Sequence, residues 1–317
     1  MAVALSLVAY GTLLGTVGGR VLHRLPGVRR SPRLGVVMWQ VAAVSTVLSW
    51  ILAGVALAVP IVPLDDLGHL LTTCLSAMHE VAAGSARPAV RVAGLLVSGA
   101  IAVRVIWCVG IGAATAYRRR LRHARMLRIV GRPAPKLGAV VVEHPDAAVY
   151  CLPGRLRQTV ITRGAIEALS PDELAAVLAH ERAHLRARHH LAVVAVRGLA
   201  RAVPGVPLLS AAADEVPALI EMCADDAAAR RHGSAAVMGA LRALARMRAP
   251  AGALAAGGTA AEARIARLAR PGRRLPSRVT LGAAVTVLVA GPLVAAVTPA
   301  LVTAVQHLGY CPVPPLA

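Results

Sequence analysis

Four long apolar runs limit what this chain can fold into more than any other feature of its sequence. They cover residues 3–19, 34–64, 92–117 and 279–306, and a helix needs about 20 apolar residues to cross a bilayer. The first run has no basic segment before it and no small-residue cleavage signal, so we interpret it as an uncleaved anchor rather than a signal peptide. The sequence therefore predicts an α-helical membrane protein with about four transmembrane helices, embedded in a lipid bilayer.

Arginine residues supply almost all of the positive charge in a chain whose formal net charge is +20. Phenylalanine is absent and aromatic residues make up only 2% of the chain. Side chains on which nucleic-acid bases could stack are therefore scarce, and no direct nucleic-acid binding is expected. Arginine beside apolar runs instead fits the rule that positively charged loops remain in the cytoplasm.

The arginines are distributed asymmetrically between the loops. They cluster at residues 20–33 and at both ends of segment 118–278, whereas the loop before the third run contains Asp65, Asp66 and Glu80. This pattern predicts a multi-pass protein of the cell membrane with both termini outside and segment 118–278 in the cytoplasm. The inverted orientation is the alternative.

This topology divides the chain into four parts. Residues 1–117 form a membrane region with three transmembrane helices, and residues 118–278 form a cytoplasmic domain. Residues 279–306 form the fourth transmembrane helix, and residues 307–317 form a short external tail. The cytoplasmic part is long enough to bury a core of its own.

The cytoplasmic segment contains the sequence HERAH within a well-defined predicted helix. The residues SPDE at 170–173 form a capping box at its start. His180 and His184 lie four residues apart on one face, which is the H-E-x-x-H pattern that binds zinc. Glu181 would act as general base toward the zinc-bound water. The pattern also arises by chance on solvated helices, so this interpretation depends on a third ligand.

Glu221 is the best candidate for the third ligand. It lies in a predicted helix for which Pro217 suits the first turn and Gly233 suits the end. Asp225 follows four residues later on the same face, where it would accept the free N–H of a zinc-bound histidine and fix its tautomer. Without the HERAH helix, the two acids would be interpreted as an exposed pair on an amphipathic helix.

Two further histidines and a cysteine are not expected to bind the metal. His190 follows His184 at the spacing of the third metzincin histidine, but metzincins need a glycine where this chain has Ala187. We therefore expect the helix to continue past Ala187 and to turn His189 and His190 away, toward the surface or the membrane. Cys223 should point to the other side of its own helix.

The combination of H-E-x-x-H with a later E-x-x-x-D is the gluzincin pattern, and the chain resembles the BlaR/MecR-type membrane zinc metallopeptidases most closely. The resemblance rests on AVLAHERAHLRARHHL, EMCADDAAARRHG and ARIARLARP, and on three spans before and one span after the zinc motif. It implies a mainly helical gluzincin-type peptidase domain with a small β element, inserted between helices three and four. It also implies one Zn²⁺ per chain, bound by His180, His184 and Glu221, with Glu181 as base and Asp225 orienting a ligand.

The resemblance implies an integral-membrane zinc-dependent endopeptidase that cuts a cytoplasmic regulator, such as a winged-helix transcriptional repressor, in signal transduction. No S-x-x-K acylation motif occurs, so the chain resembles the short members that lack a penicillin-binding sensor domain. One alternative is an HtpX-type protease for membrane-protein quality control. The other is a non-catalytic transducer with a structural zinc site, which the intact Glu181 disfavours because such a site needs no base.

The sequence also allows predictions for two other segments and for one arginine. Residues 158–166 are predicted to form a strand, suited to the sheet edge at which gluzincins hold an extended peptide. Residues 191–209 are apolar but contain Arg197 and Arg201, so we expect a buried or membrane-surface helix rather than a fifth span. Arg104 lies in the middle of the third apolar run, and the spans contain no acidic partner for it.

Overall fold

The computed structural model describes residues 2–58, 86–154, 157–248 and 256–270, together with three isolated positions further along the chain. Within these ranges the protein is mostly helical, as predicted. The predicted fourth transmembrane helix at 279–306 and the tail at 307–317 lie outside the described ranges.

Three helices are long and apolar enough to cross a membrane, by length and composition. They are α1 (Ala2–Arg24), α3 (Pro32–Ala58) and most of α4 (Ala86–Val130), and the short α2 (Pro26–Arg30) links the first two. The first three predicted spans are thus confirmed as long apolar helices, and residues 59–64 of the second predicted span lie outside the described ranges. The third continues past residue 117 and ends only at Val130, so the helix extends beyond its apolar part.

A small sheet follows α4. Its strands are β1 (Gly131–Ala134), β2 (Ala139–Val142), β3 (Val149–Leu152) and β4 (Gln158–Thr162), in the spatial order β1-β2-β4-β3. Strand β4 pairs in parallel with β2 and antiparallel with β3. Among the described residues, β4 is therefore an interior strand and β3 is an edge strand.

The expectation for residues 158–166 is confirmed in its first half and wrong in two respects. The strand ends at Thr162, whose hydroxyl accepts a hydrogen bond from the backbone nitrogen of Ala165 at 3.3 Å and caps helix α5 (Arg163–Ala168). The strand is also not at the edge, because β3 covers its outer side. Strand partners are chosen by tertiary packing, which a short alternating pattern does not encode.

Four further helices carry the zinc motif and its surroundings. They are α6 (Pro171–Arg186), α7 (His189–Ala202), α8 (Pro207–Arg248) and α9 (Ala256–Ala269). The predicted capping box is present at the start of α6. The backbone nitrogen of Glu173 donates to Oγ of Ser170 at 3.4 Å, and the backbone nitrogen of Ser170 donates to Oε2 of Glu173 at 3.0 Å.

Helix α8 differs from the predicted helix at its start. It begins at Pro207, so Pro217 lies inside the helix and not in its first turn. A proline inside a helix costs about 3 kcal/mol, and the buried side chains of Leu208, Leu209 and Val216 offset this cost by packing. Gly233 interrupts the helix with a φ of 81°, as expected from its predicted position at a helix end.

Helix α7 and the first turns of α8 form a helical hairpin between the candidate spans. At its tip, Val206 packs beside Thr46 of α3 against Gly15 of α1. Nε of Arg104 donates to the carbonyl oxygen of Ala202, the last residue of α7, at 2.6 Å. Arg104 therefore satisfies a carbonyl that has no partner within its own helix, and needs no acidic residue. Residues 191–209 were expected to form either a buried helix or a membrane-surface helix, and these contacts favour the buried helix.

One hydrophobic core joins the candidate spans to the hairpin. Trp39 of α3, Val196 of α7 and Leu208, Leu209 and Leu219 of α8 are almost completely buried in it. The segment predicted to be cytoplasmic therefore shares a core with α1 and α3. The position of α8, which carries Glu221, depends on contacts with the apolar helices.

The hairpin predicts a difference in chemical accessibility. Pro204 at its tip and Arg231 in α8 are both exposed on the protein's own surface, but the tip lies against the middle of the apolar helices. We expect a cysteine at Pro204→Cys to resist a membrane-impermeant maleimide in membranes, and one at Arg231→Cys to react. The labelled fraction of the unsubstituted chain is subtracted from that of each variant. Labelling of the same variant dissolved in detergent gives the value for full accessibility. Equal labelling of the two positions in membranes would contradict this arrangement.

Candidate metal centre

Helices α6 and α8 bring two histidines and one glutamate together. Nε2 of His180 and Nε2 of His184 lie 3.0 Å apart. Nε2 of His180 lies 3.4 Å from Oε2 of Glu221, and Nε2 of His184 lies 3.5 Å from Oε1 of Glu221. The three side chains each offer one ligand atom, and these atoms lie within 4.8 Å of one another. The three residues predicted to be ligands are therefore placed where they can bind one ion.

The donor set fits zinc. Asp225 is ionised and can only accept, so Nδ1 of His180, which lies 3.1 Å from its Oδ1, carries the proton. Nε2 of His180 then presents a lone pair toward the carboxylate of Glu221. Because a lone pair and a carboxylate repel each other, a proton or a cation must lie between them. Two imidazoles and one carboxylate form the set that holds catalytic zinc with one position open.

The electrostatics around His180 also favour a positive charge. Burial favours the neutral ring, but hydrogen bonds to Asp225 and Glu221 outweigh it and raise the pKa of His180 to about 9. Burial likewise opposes the ionisation of Asp225, yet hydrogen bonds from Arg264 and His180 lower its pKa to about 2. The site is therefore built around ionised carboxylates that attract a cation.

Asp225 also holds helix α9 in place. Its side chain is completely buried, and Nε and Nη2 of Arg264 donate to its two oxygens at 2.8 and 2.6 Å. Nη1 of Arg264 lies 3.2 Å from Oε2 of Glu221. One turn further on, Nη2 of Arg267 donates to Asp226 at 2.6 Å. Sequence reasoning gave Arg264 no role, although it lies in the ARIARLARP stretch that contributed to the resemblance.

His189 is the clearest error of the sequence interpretation. Helix α6 ends at Arg186, Arg188 adopts a left-handed conformation with a φ of 50°, and a new helix begins at His189. Nδ1 of His189 then lies 3.1 Å from Nδ1 of His184. The helix does not continue past Ala187, and His189 does not face away from the centre.

The two histidines of the candidate site are therefore supported in the same way. Asp225 contacts the outer ring nitrogen of His180, and His189 contacts the outer ring nitrogen of His184. In both cases a hydrogen-bond partner on Nδ1 leaves Nε2 for the metal, which fixes the tautomer and the ring orientation. His190 is not in this position, and burial together with the charges of Arg120 and Arg188 lowers its pKa.

Glu181 lies between the metal ligands and the edge strand β3. Burial raises the pKa of Glu181 above its usual range, although His180 partly opposes this shift. Its carboxylate lies beside the thiol of Cys151 on β3, and burial together with this carboxylate raises the pKa of the thiol. No feature of the sequence indicated that Cys151 would lie beside the predicted base.

Three helices long enough to cross a membrane thus accompany a candidate metal site of two histidines and one glutamate. Comparison with known proteins points to a class of protein that has such a site. Residues 114–249 match Peptidase family M48, a family of zinc-dependent peptidases. The match includes helices α6 and α8, with all three candidate ligands. This part of the chain is therefore similar to a metallopeptidase domain.

A curated relative supports the same assignment over a shorter length. The chain is 41% identical over 54 residues to a protein named Protease HtpX homolog from Thermoplasma acidophilum. That alignment covers 17% of this chain and 17% of the relative. No solved structure matches.

His189 provides a test of the geometry. We expect His189→Ala to weaken zinc binding about 10- to 100-fold, the usual effect of removing a hydrogen-bond partner from a ligand histidine. His190→Ala removes a neighbouring imidazole that lies away from the cluster, so zinc affinity should stay unchanged. The measurement is competition with a chromophoric zinc chelator on the purified proteins. An equal loss in both variants would show that His189 does not support His184.

Proposed function

We propose that this chain is an integral-membrane zinc-dependent endopeptidase. The observation that carries the proposal is the convergence of His180, His184 and Glu221, with Glu181 beside them and next to an open strand edge. When bound, a zinc ion at such a site polarises a peptide carbonyl and lowers the pKa of a water molecule. The match of residues 114–249 to Peptidase family M48 supports the same activity.

The surrounding residues orient the proposed ligands. Asp225 and His189 hold the Nδ1 atoms of His180 and His184. Arg264 contacts both carboxylates on α8, so it restrains one oxygen of Glu221 while it balances the charge of Asp225. The guanidinium keeps two adjacent carboxylates ionised that would otherwise repel each other.

Glu181 is the proposed general base. It follows His180 directly, and its carboxylate is half-buried beside the ligands. The raised pKa brings this carboxyl group closer to neutral pH, which suits a group that accepts a proton and then returns it. Glu181 would take the proton of the attacking water and pass it to the amine of the departing peptide.

The substrate is proposed to bind as an extended peptide along β3. Within the described residues the outer side of β3 is unpaired, and Cys151 in its middle contacts Glu181. A peptide that adds to this edge by backbone hydrogen bonds would pass directly over the metal ligands. Strand β3 thereby takes the role that the sequence suggested for residues 158–166.

The cellular role is proposed from the resemblance and the arrangement of charges. We propose a multi-pass protein of the cell membrane with both termini outside and residues 118–278 in the cytoplasm, between the third helix and a fourth at 279–306. The substrate would be a cytoplasmic regulator such as a winged-helix repressor, as the BlaR/MecR-type resemblance implies. The second candidate is membrane-protein quality control, which the similarity to the Protease HtpX homolog favours.

Glu181→Gln separates hydrolysis from metal binding. The amide retains size and hydrogen bonding but cannot accept a proton, so peptide hydrolysis should fall about a hundredfold or more. Zinc content should stay at about one ion per chain. Glu143→Gln is the control, because Glu143 is exposed and, among the described residues, its ion pair is with Arg163 on the surface. Undiminished cleavage by Glu181→Gln, measured on an unfolded test substrate in the same membranes, would show that Glu181 is not the base.

The same variant distinguishes the two cellular roles. Proteomes of cells that express wild type or Glu181→Gln should differ in one uncut cytoplasmic regulator if the first role is right. Accumulation of many damaged membrane proteins would instead support quality control.

A further inference from the structure

A basic cavity lies beside the candidate metal centre, with His189 in its lining. It has a volume of about 550 Å³, is open to solvent, and lies between the start of α3, the end of α6 and the middle of α8. Its polar lining comes chiefly from Arg33, Arg186, Arg230, Arg231 and His189, and none of the residues that line it is acidic. We call it the arginine cavity.

The arginines of this cavity are exposed to solvent at its mouth. Among the described residues, Arg33, Arg186 and Arg231 form no ion pair, and no acidic side chain lines the cavity. Two acids of α8 lie nearby along the chain, but Asp225 pairs with Arg264 and Asp226 pairs with Arg267. Three positive charges around one space repel one another, although solvent weakens this repulsion, and they therefore favour an anionic occupant.

We propose that the arginine cavity binds a phosphate group, supplied by the headgroup of an anionic phospholipid. Planar guanidinium groups bind phosphate oxygens through two parallel hydrogen bonds, which makes arginine better suited than lysine to such a site. The volume lies within the usual range of about 300–1,000 Å³ for ligand pockets. His189 adds a donor, because its Nδ1 lies against His184 and its Nε2 remains for the cavity.

The position of the cavity indicates a lipid. Arg33 follows Pro32, the first residue of the candidate span α3, and Val36 lies one turn further into the span and also lines the cavity. The cavity thus extends from the end of an apolar helix to the arginines of α6 and α8. Basic pockets at the ends of transmembrane helices are where anionic headgroups bind.

The test is lipid retention by the purified full chain. Delipidated protein is incubated with phosphatidylglycerol or phosphatidylcholine, and bound lipid is counted by native mass spectrometry. Wild type should retain about one phosphatidylglycerol and little phosphatidylcholine. Arg186→Gln combined with Arg231→Gln should weaken this binding about 25-fold, since each arginine near an anionic lipid contributes about fivefold.

Two further variants separate the cavity from general surface charge. Arg118→Gln combined with Arg119→Gln removes the same charge from the exposed surface of α4 and should leave retention unchanged. Ala227→Leu fills the cavity without altering its charge and should reduce retention. Zinc content, which should stay constant in all variants, shows that the neighbouring site is still folded.

The outcomes distinguish the possible occupants. Displacement of phosphatidylglycerol by millimolar inorganic phosphate, with loss of phosphate binding in the cavity variants, would support a phosphate site but assign it to free phosphate. Equal loss of lipid in the α4 control, or unchanged retention in both cavity variants, would overturn the proposal. The proposal would also be overturned if the chain bound an acidic peptide but neither phosphatidylglycerol nor phosphate.

Discussion

The carboxylate of Asp225 is completely buried, and its burial fixes three helices relative to one another. A buried charge costs several kcal/mol unless it is paired and hydrogen-bonded. Here His180 of α6 and Arg264 of α9 supply those contacts from either side of α8. Displacing α6 or α9 would remove one of the two partners of this carboxylate, so the residues that satisfy Asp225 also keep His180 and Glu221 close together.

The same helix connects the metal centre to the apolar part of the protein. Helix α8 begins at the hairpin tip, packs through Leu208, Leu209 and Leu219 against the candidate spans, and then presents Glu221. Helix α7 joins it from the other side, since it begins at His189 beside His184 and ends at Ala202 beside Arg104. The candidate metal ligands therefore depend on packing with the candidate spans. Leu219, two residues before Glu221, lies against Gly35 near the start of α3.

The features that follow from local rules were predictable from the sequence. The capping box, the pairing of His180 with His184 and the placement of Glu221 before Asp225 depend on helical spacing alone. Features that depend on tertiary contacts were missed. Arg188 adopts a left-handed conformation that costs about 1–2 kcal/mol, and neither glycine nor proline marks the break that places His189. Strand β3 and the contact of Arg264 likewise join residues that are distant in the sequence.

The central claim is that His180, His184 and Glu221 bind one zinc ion, and X-ray absorption at the zinc edge of the purified chain tests it most directly. The structure predicts two imidazole nitrogens at about 2.0–2.1 Å, the remaining ligands being oxygen, and no sulfur. The spectrum of His189→Ala should still contain two imidazoles, whereas Glu221→Ala should lose an oxygen ligand or the metal itself. A third imidazole in the wild-type spectrum, or sulfur at about 2.3 Å, would contradict the proposed ligand set.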